Sequence, residues 1–241
     1  MKTIKMLYLL TLLLSFSACG GAKSTENAVS NIETIGNESC IKDYMTKYDK
    51  LLPLEVIKIH YDLPANAKMK YNYRPEAKRH DQDTYEFTWD SGRKRKMKFG
   101  GQEMEYPSPN RIGLRWVGSD LFMIQGKPTP LENFRGFYRN ASAAEKEAAF
   151  KQASEKLIEK GYDGKTVETA TSLGKDLSAD EIIFNNIDGL GEAAVWRIKE
   201  KELTVLVGKT SFQVSVEISE NDEENIALAK KLAQEVLNKC K

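Results

Sequence analysis

Histidine and carboxylate side chains that stand close together are the first candidates for chemistry, and this 241-residue chain has two histidines, His60 and His80. A Ser-His-acid site needs one of them, but His60 falls at an expected helix end, His80 falls in the polar loop RHDQD, and the sequence has no G-x-S-x-G elbow. His80, Asp81 and Asp83 bring oxygen and nitrogen ligands together, yet the loop lacks the glycine turn and distal glutamate of a calcium loop. We interpret it as a solvated connection and predict no catalytic residue and no metal site.

Glycine-rich segments are the second candidates, because backbone amides at the start of a helix can hold the phosphates of a nucleotide. Such a loop leaves a strand and opens a helix. Gly189 and Gly191 of DGLGE instead precede expected strands, and FGGQ at 99–102 precedes no helical pattern. The sequence therefore predicts no cofactor.

The first 18 residues have the pattern of a secretory signal peptide. Lys2 and Lys5 form a basic start, residues 6–16 form an apolar run that is too short to span a bilayer, and Ser17-Ala18 form a small-residue cleavage site. Export to an oxidising compartment follows from this pattern.

Phe16-Ser17-Ala18-Cys19 resembles the lipobox of bacterial lipoproteins, with Phe16 at the position where that family usually has leucine. The resemblance implies that Cys19 becomes the first mature residue and carries the lipid, which anchors the chain to a membrane. Gly20, rather than aspartate, follows the cysteine and implies sorting to the outer membrane of the cell envelope. The alternatives are a plain signal peptide with a coincidental cysteine, or an uncleaved segment.

The other two cysteines, Cys40 and Cys240, lie at the two ends of the remaining chain. In an exported protein they can form a disulfide. The alternative is two separate buried thiols, and metal binding is less favoured because no C-x-x-C spacing is present. We predict the Cys40–Cys240 disulfide.

Residues 19–39 are mostly small and polar, which predicts a flexible tether that leads into a body over 40–241. The whole composition, 41% hydrophobic and 29% charged, is typical of a water-soluble globular fold. Loss of Lys2 and Lys5 leaves 34 basic against 35 acidic residues, so no net field attracts nucleic acid. We expect no nucleic-acid partner.

The body has the pattern of an α+β fold with an antiparallel sheet flanked by helices. Apolar and polar residues alternate with period two in six segments. These segments are centred on Tyr71, Phe87, Leu114, Trp196, Val205 and Val214. Two similar halves, about 40–140 and 141–241, are expected from the order of the segments.

Helix signals lie between these segments. Pro53 begins a short helix that ends near His60, and Ser142 with Glu145 forms a capping box. Ser178 indicates a second, shorter helix start, and SENDEEN begins a last helix that places Cys240 on its apolar face.

The segments LLPLEVIKI, YEFTW and GLGEAAVW, followed by the last strands and helix, resemble uncharacterised bacterial lipoproteins of the PsbP-like α+β kind. The resemblance is best over 188–192 and implies an architecture, with no known activity for most members. Function by fold analogy alone is a weak inference.

The segment YEFTWDSGRKRKMKFG predicts a hairpin whose faces depend on its turn. An even loop puts the aromatic residues beside the lysines and makes a surface for anionic glycans or lipid head groups. A three-residue loop, Asp90-Ser91-Gly92, turns the aromatics toward the core and pairs Glu86 with Lys96. The glycine in third position favours the second version.

The aromatic residues of 100–140 are the remaining candidates for a binding surface, because long irregular segments often carry recognition. They are Tyr106, Trp116, Phe134, Phe137 and Tyr138. The competing interpretation is core contact. We expect a non-catalytic binding or interaction module on the envelope, with a membrane contact through the lipid and an envelope protein, lipid or glycan as partner. The alternatives are a lipid or glycan carrier, and an envelope enzyme built around His80, Asp81 and Asp83.

Overall fold

Seven helices and nine strands occur in the part of the chain that the computed structural model describes, residues 35–77, 79–99, 102–120, 129–179 and 183–241. The helices are α1 (Glu38–Asp43), α2 (Tyr48–Leu51), α3 (Leu54–His60), α4 (Pro130–Phe137), α5 (Ala143–Glu159), α6 (Gly164–Ala179) and α7 (Asp222–Lys239). The strands are β1 (Lys68–Asn72), β2 (Thr84–Trp89), β3 (Lys94–Phe99), β4 (Gln102–Pro107), β5 (Asn110–Ser119), β6 (Phe184–Ile187), β7 (Ala193–Arg197), β8 (Glu202–Val207) and β9 (Thr210–Glu217).

Seven of the strands form one antiparallel sheet in the order β1-β2-β5-β9-β8-β7-β6, and β3 and β4 form a separate two-stranded ribbon. The predicted α+β class is confirmed. Residues before 141 supply β1, β2 and β5, and residues after it supply β6 to β9, so each half contributes one block, and the blocks meet where β5 pairs with β9. The half-repeat itself stays a prediction.

One face of the sheet is apolar and packs under helices α1, α2 and α7, with α3 lying against α7. Period-two alternation produces this face, since Leu203, Val205, Phe212 and Val214 all point to the same side and are fully buried. The last helix places its apolar stripe against them, as its i, i+3, i+4 spacing predicts. Tyr85, Phe87 and Trp89 belong to the same core, and burial raises the pKa of Tyr85 to about 12.

The predicted helix starts have mixed outcomes. The capping box is confirmed, because Ser142 accepts from the Glu145 N–H and the Glu145 carboxylate accepts from the Ser142 N–H. Pro53 precedes α3 as its N-cap. The prediction of a helix start at Ser178 is wrong, because α6 begins at Gly164, where Asp163 caps the Thr166 N–H, and Ser178 lies in its last turn.

The predicted hairpin between residues 85 and 98 is also wrong. Gly92 has the expected left-handed backbone, φ 68°, but β2 pairs with β1 and β5 rather than with β3. Strand β3 pairs with β4, so Lys96 faces Glu105 across the ribbon and not Glu86. The aromatic residues do turn to the core, as predicted. The predicted ladder between Glu86 and Lys96 does not form, and Lys96 pairs instead with Glu103 of β4, with 2.7 Å between the ammonium and the carboxylate.

The N-terminal helix is fastened to the C-terminal end of α7. Cys40 and Cys240 form a disulfide with a Cα–Cα distance of 5.4 Å, and the Asn37 N–H donates to the Cys240 carbonyl at 2.6 Å. Helix α1 begins at Glu38, so the body begins slightly before the expected residue 40. No helix within the described ranges combines the length and apolarity that a membrane span requires.

Reduction of the disulfide is expected to lower the free energy of unfolding by about 5 kcal/mol, because the bond closes a loop of 200 residues and restricts the unfolded chain. Urea unfolding with and without reductant measures this difference. The control is Cys40→Ser with Cys240→Ser, whose unfolding midpoint should not respond to reductant. Equal midpoints for the oxidised and reduced wild type would contradict the prediction.

Candidate functional site

The sheet face opposite the helix core is polar although it is largely buried. Most of the alternate residues of β2, β5, β7, β8 and β9 that point to this side carry charge or hydrogen-bonding groups, whereas Val195 and Leu206 form an apolar patch on it. We call the charged and hydrogen-bonding residues the polar face: Glu86, Arg111, Arg115, Arg197, Glu202, Thr204, Gln213, Ser215 and Glu217. Burial of charge is unfavourable unless each group is paired, so the contacts among these residues decide what the face can do.

The register of the strands sets one row across this face. Glu86 lies opposite Gly113, Gly113 lies opposite Ser215, and Ser215 lies opposite Glu202. Gly113 has no room for a side chain, since a Cβ there would come within 2.2 Å of the Tyr85 carbonyl oxygen. The glycine therefore lets β2 and β5 approach closely at the centre of the row.

Glu202 is the centre of the first charge cluster. It is 2% exposed, and its carboxylate contacts Arg115 Nη1 and, at 3.5 Å, Arg197 Nη1. Arg115 also lies 3.9 Å from Glu86, and Arg197 lies 3.2 Å from Glu200. Three carboxylates and two guanidinium groups thus share this end of the face.

Glu217 is the centre of a second charge cluster. We call it the Glu217 arginine cluster, and its members are Glu217, Arg93, Arg95, Arg111 and Ser108. Oε1 of Glu217 accepts from Arg95 Nη2 at 2.7 Å and from the Ser108 hydroxyl at 2.9 Å. Arg93 Nη2 lies 3.7 Å from the same oxygen, and Arg111 Nε lies 3.4 Å from Oε2. Here three guanidinium groups surround one carboxylate.

The β3–β4 ribbon brings two of these arginines to the sheet. Its base is fixed by local hydrogen bonds, because the Ser91 hydroxyl donates to the Ser108 carbonyl at 2.5 Å and accepts from the Arg93 N–H at 2.9 Å. The Ser108 N–H donates to the Arg93 carbonyl at 3.0 Å. Arg93, which directly precedes β3, and Arg95 within it both reach Glu217. Lys94 and Lys96 alternate with them and pair instead with Glu105 and Glu103 of β4.

Several buried polar atoms on this face have no hydrogen-bond partner among the described residues. They include Glu86 Oε1, Ser215 Oγ, and the Nε atoms of Arg111, Arg115 and Arg197. Buried polar atoms in folded proteins are ordinarily partnered by protein or by water, and a concentration of exceptions marks a place where water or a polar ligand belongs.

The five aromatic residues predicted to form a binding surface lie on different elements of the structure. Helix α4 brings Phe134, Phe137 and Tyr138 together, with ring centroids 4.8 Å apart for Phe134–Tyr138 and 4.9 Å for Phe137–Tyr138. Phe134 and Tyr138 are buried in a small apolar cluster with Val195 and Leu206, so the core interpretation holds for them. Phe137 is 59% exposed.

The other two aromatic candidates lie elsewhere. Tyr106 is on β4 and 41% exposed, and Trp116 is half-buried with φ 53° where β5 changes register against β9. The role of the five residues as a binding surface stays a prediction.

Tyr138 joins the apolar cluster to the polar face. Burial raises the pKa of Tyr138, and the nearby Thr204 hydroxyl lowers it in part. The neutral phenol thus lies at the boundary between the two parts of the face.

The loop RHDQD is a structured corner, so its interpretation as a solvated connection is wrong. Asp81 and Asp83 are 3% and 1% exposed. Arg79 contacts both carboxylate oxygens of Asp81, at 2.6 and 3.2 Å, and His80 Nδ1 lies 3.3 Å from Asp83 Oδ2. Burial raises the pKa of Tyr48, whose hydroxyl stays neutral and donates to the His80 carbonyl at 2.8 Å.

His60 and Cys19 are the remaining residues that the sequence analysis considered. His60 ends α3, and its Nε2 lies 2.8 Å from a carboxylate oxygen of Glu235. Cys19 lies outside the described residues. Within the described ranges no three His, Cys, Asp or Glu side chains are grouped so that they can hold a metal ion.

No family model matches the chain, and no curated protein and no solved structure matches it either. The resemblance of the body to PsbP-like lipoproteins and the lipobox assignment stay predictions.

Glu202→Gln is expected to lower the free energy of unfolding by about 2 kcal/mol, because it removes the buried carboxylate that Arg115 and Arg197 share. The control is Glu103→Gln, which removes an exposed partner of Lys96 and should change stability by about 1 kcal/mol or less. Urea unfolding compares the two variants. Equal losses would show that the Glu202 cluster does not behave as a buried network.

Proposed function

We propose that this protein is a lipid-anchored, non-catalytic binding module of the bacterial envelope. The observation that carries the proposal is the Cys40–Cys240 disulfide, because such bonds persist in oxidising compartments and the signal-like N-terminus leads to one. In this proposal a lipid on Cys19 holds the chain at the outer membrane. An envelope protein, lipid or glycan is the partner.

The polar face and its ribbon support a binding role. An uninterrupted apolar cover would stabilise the second side of the sheet more simply, since replacement of a buried ion pair by apolar residues is often neutral or stabilising. The chain instead holds arginines and glutamates there, with several buried atoms unpartnered. Such a face has the donors and acceptors that recognition of a polar partner requires.

A second candidate function, an envelope enzyme, is favoured by one observation. His80 faces the buried carboxylate of Asp83 at 3.3 Å, and a carboxylate that orients a histidine is part of many general-base sites. His80 also stacks on Tyr73, with ring centroids 5.4 Å apart. A hydrolytic activity of purified protein that disappears in His80→Gln would favour this candidate over the first.

Cys19→Ser is expected to release the protein from the membrane, because the lipid is the only membrane attachment in this proposal. Detergent phase partition of cell envelopes and mass spectrometry of the mature chain measure the change. The wild type should enter the detergent phase and carry an acyl mass at Cys19, and the variant should stay in the aqueous phase.

The matched control is Ser24→Ala, which alters the same segment and leaves the acylated cysteine intact. It should partition like the wild type. A wild-type chain with an unmodified Cys19, or a Cys19→Ser chain that remains in the detergent phase, would contradict the anchor.

A further inference from the structure

We infer that the Glu217 arginine cluster is a binding site for an anion that carries a phosphate or carboxylate group. The inference rests on the proposed binding role and names the ligand class of the polar face. It does not depend on the lipid anchor.

The charge balance of the cluster is the first argument. Arg93, Arg95 and Arg111 each approach Glu217, and no other carboxylate of the described residues lies within ion-pair distance of them. One negative charge therefore faces three positive charges. Like charges this close repel one another, and a second anion would remove that repulsion.

The donor geometry is the second argument. Guanidinium groups and hydroxyls are the usual partners of phosphate and carboxylate oxygens. Arg95 Nη2 and the Ser108 hydroxyl converge on Glu217 Oε1, and Arg111 Nε lies 3.4 Å from Oε2 without a hydrogen bond among the described residues. Neighbouring groups hold the other guanidinium groups in place, since Arg93 Nη2 donates to Asn110 Oδ1 at 2.6 Å and Arg111 Nη2 donates to the Glu200 carbonyl. The cluster already holds one carboxylate of the chain, so its donors are arranged for such a group.

The guanidinium groups of the cluster are partly exposed to solvent. The Glu217 side chain is 5% exposed, but those of Arg93, Arg95 and Arg111 are 18%, 34% and 21% exposed. The Glu217 carboxylate is therefore buried, whereas the guanidinium groups around it are partly exposed to solvent. An anion can thus contact the arginines without displacing Glu217.

An anion bound at this site would also link the β3–β4 ribbon to the large sheet. Arg95 belongs to β3 and Arg93 directly precedes that strand, while Arg111 belongs to β5 of the large sheet, so an anion held by all three joins the ribbon to the sheet. Because the anion binds only the docked ribbon, it should also raise the melting temperature of the protein.

The test is calorimetric titration of the full-length chain, purified in non-ionic detergent, with inorganic phosphate. Wild type should bind saturably, and Arg95→Gln should bind about tenfold more weakly, because a charge-assisted contact is lost. Glu217→Gln should bind more tightly, because it removes the competing negative charge, provided that its near-ultraviolet circular dichroism matches that of the wild type.

The matched control is Lys94→Gln. Lys94 is the neighbour of Arg95 on β3, loses the same charge in the variant, and pairs with Glu105 on the other side of the ribbon. It should bind phosphate like the wild type. Absence of saturable binding in the wild type, or equal affinities for Arg95→Gln and Lys94→Gln, would overturn the inference and indicate adventitious ion binding only.

Vesicle sedimentation distinguishes a lipid head group from a soluble anion. It uses Cys19→Ser chains, so that no acyl anchor contributes, and phosphatidylcholine vesicles with and without phosphatidylglycerol. If the Cys19→Ser chain binds only vesicles that contain phosphatidylglycerol, and the double variant with Arg95→Gln does not bind them, the anion is a lipid head group. Phosphate binding without vesicle binding assigns it to a soluble anion, and both results support the site.

The two proposals fail separately. Detergent partition of Cys19→Ser reports on the anchor alone, whereas phosphate titration of wild type and Arg95→Gln reports on the cluster alone.

Discussion

The alternation of side chains along a strand imposes the constraint on which this structure depends, since every strand presents two faces and both faces of the central strands β8 and β9 are buried here. On one side Leu203, Val205, Phe212 and Val214 meet α7, and their burial removes apolar surface from water. On the other side the same two strands carry Glu202, Thr204, Gln213 and Ser215, which are just as buried. The first face stabilises the fold, and its favourable burial offsets the cost of a second face that is charged.

Much of the fold can be predicted from the sequence, because local patterns determine it. The strands around Val205 and Val214 are read from period two, the helix at Ser142 from its capping box, and the disulfide from the positions of Cys40 and Cys240. The start of α6 was missed because its signal, the Asp163 cap, lies in a polar segment with little apolar periodicity. The pairing of β3 was missed because its partner is chosen by long-range contacts.

The candidate site could not be predicted from these patterns. In a strand, a polar residue at every second position indicates a solvated face as readily as a buried network, and the sequence does not show which. Arg95 and Glu217 are 122 residues apart, and only the docking of the ribbon brings them to 2.7 Å. The one local signal was the alternation of arginines with apolar residues in Arg111-Ile112-Gly113-Leu114-Arg115. This alternation indicates a buried charged network only when it is known that both faces of β5 are covered.

The attachment of the first helix to the end of the last one has a mechanical consequence. Tension applied through the residues that precede Asn37 passes at Cys40 into the disulfide and from there into α7. That helix is held by Leu232, Val236 and Leu237, which are fully buried, so the load falls on a helix that is packed into the core. A pull on the leading segment therefore loads the end of α7 through the disulfide before it reaches the edge strands of the sheet.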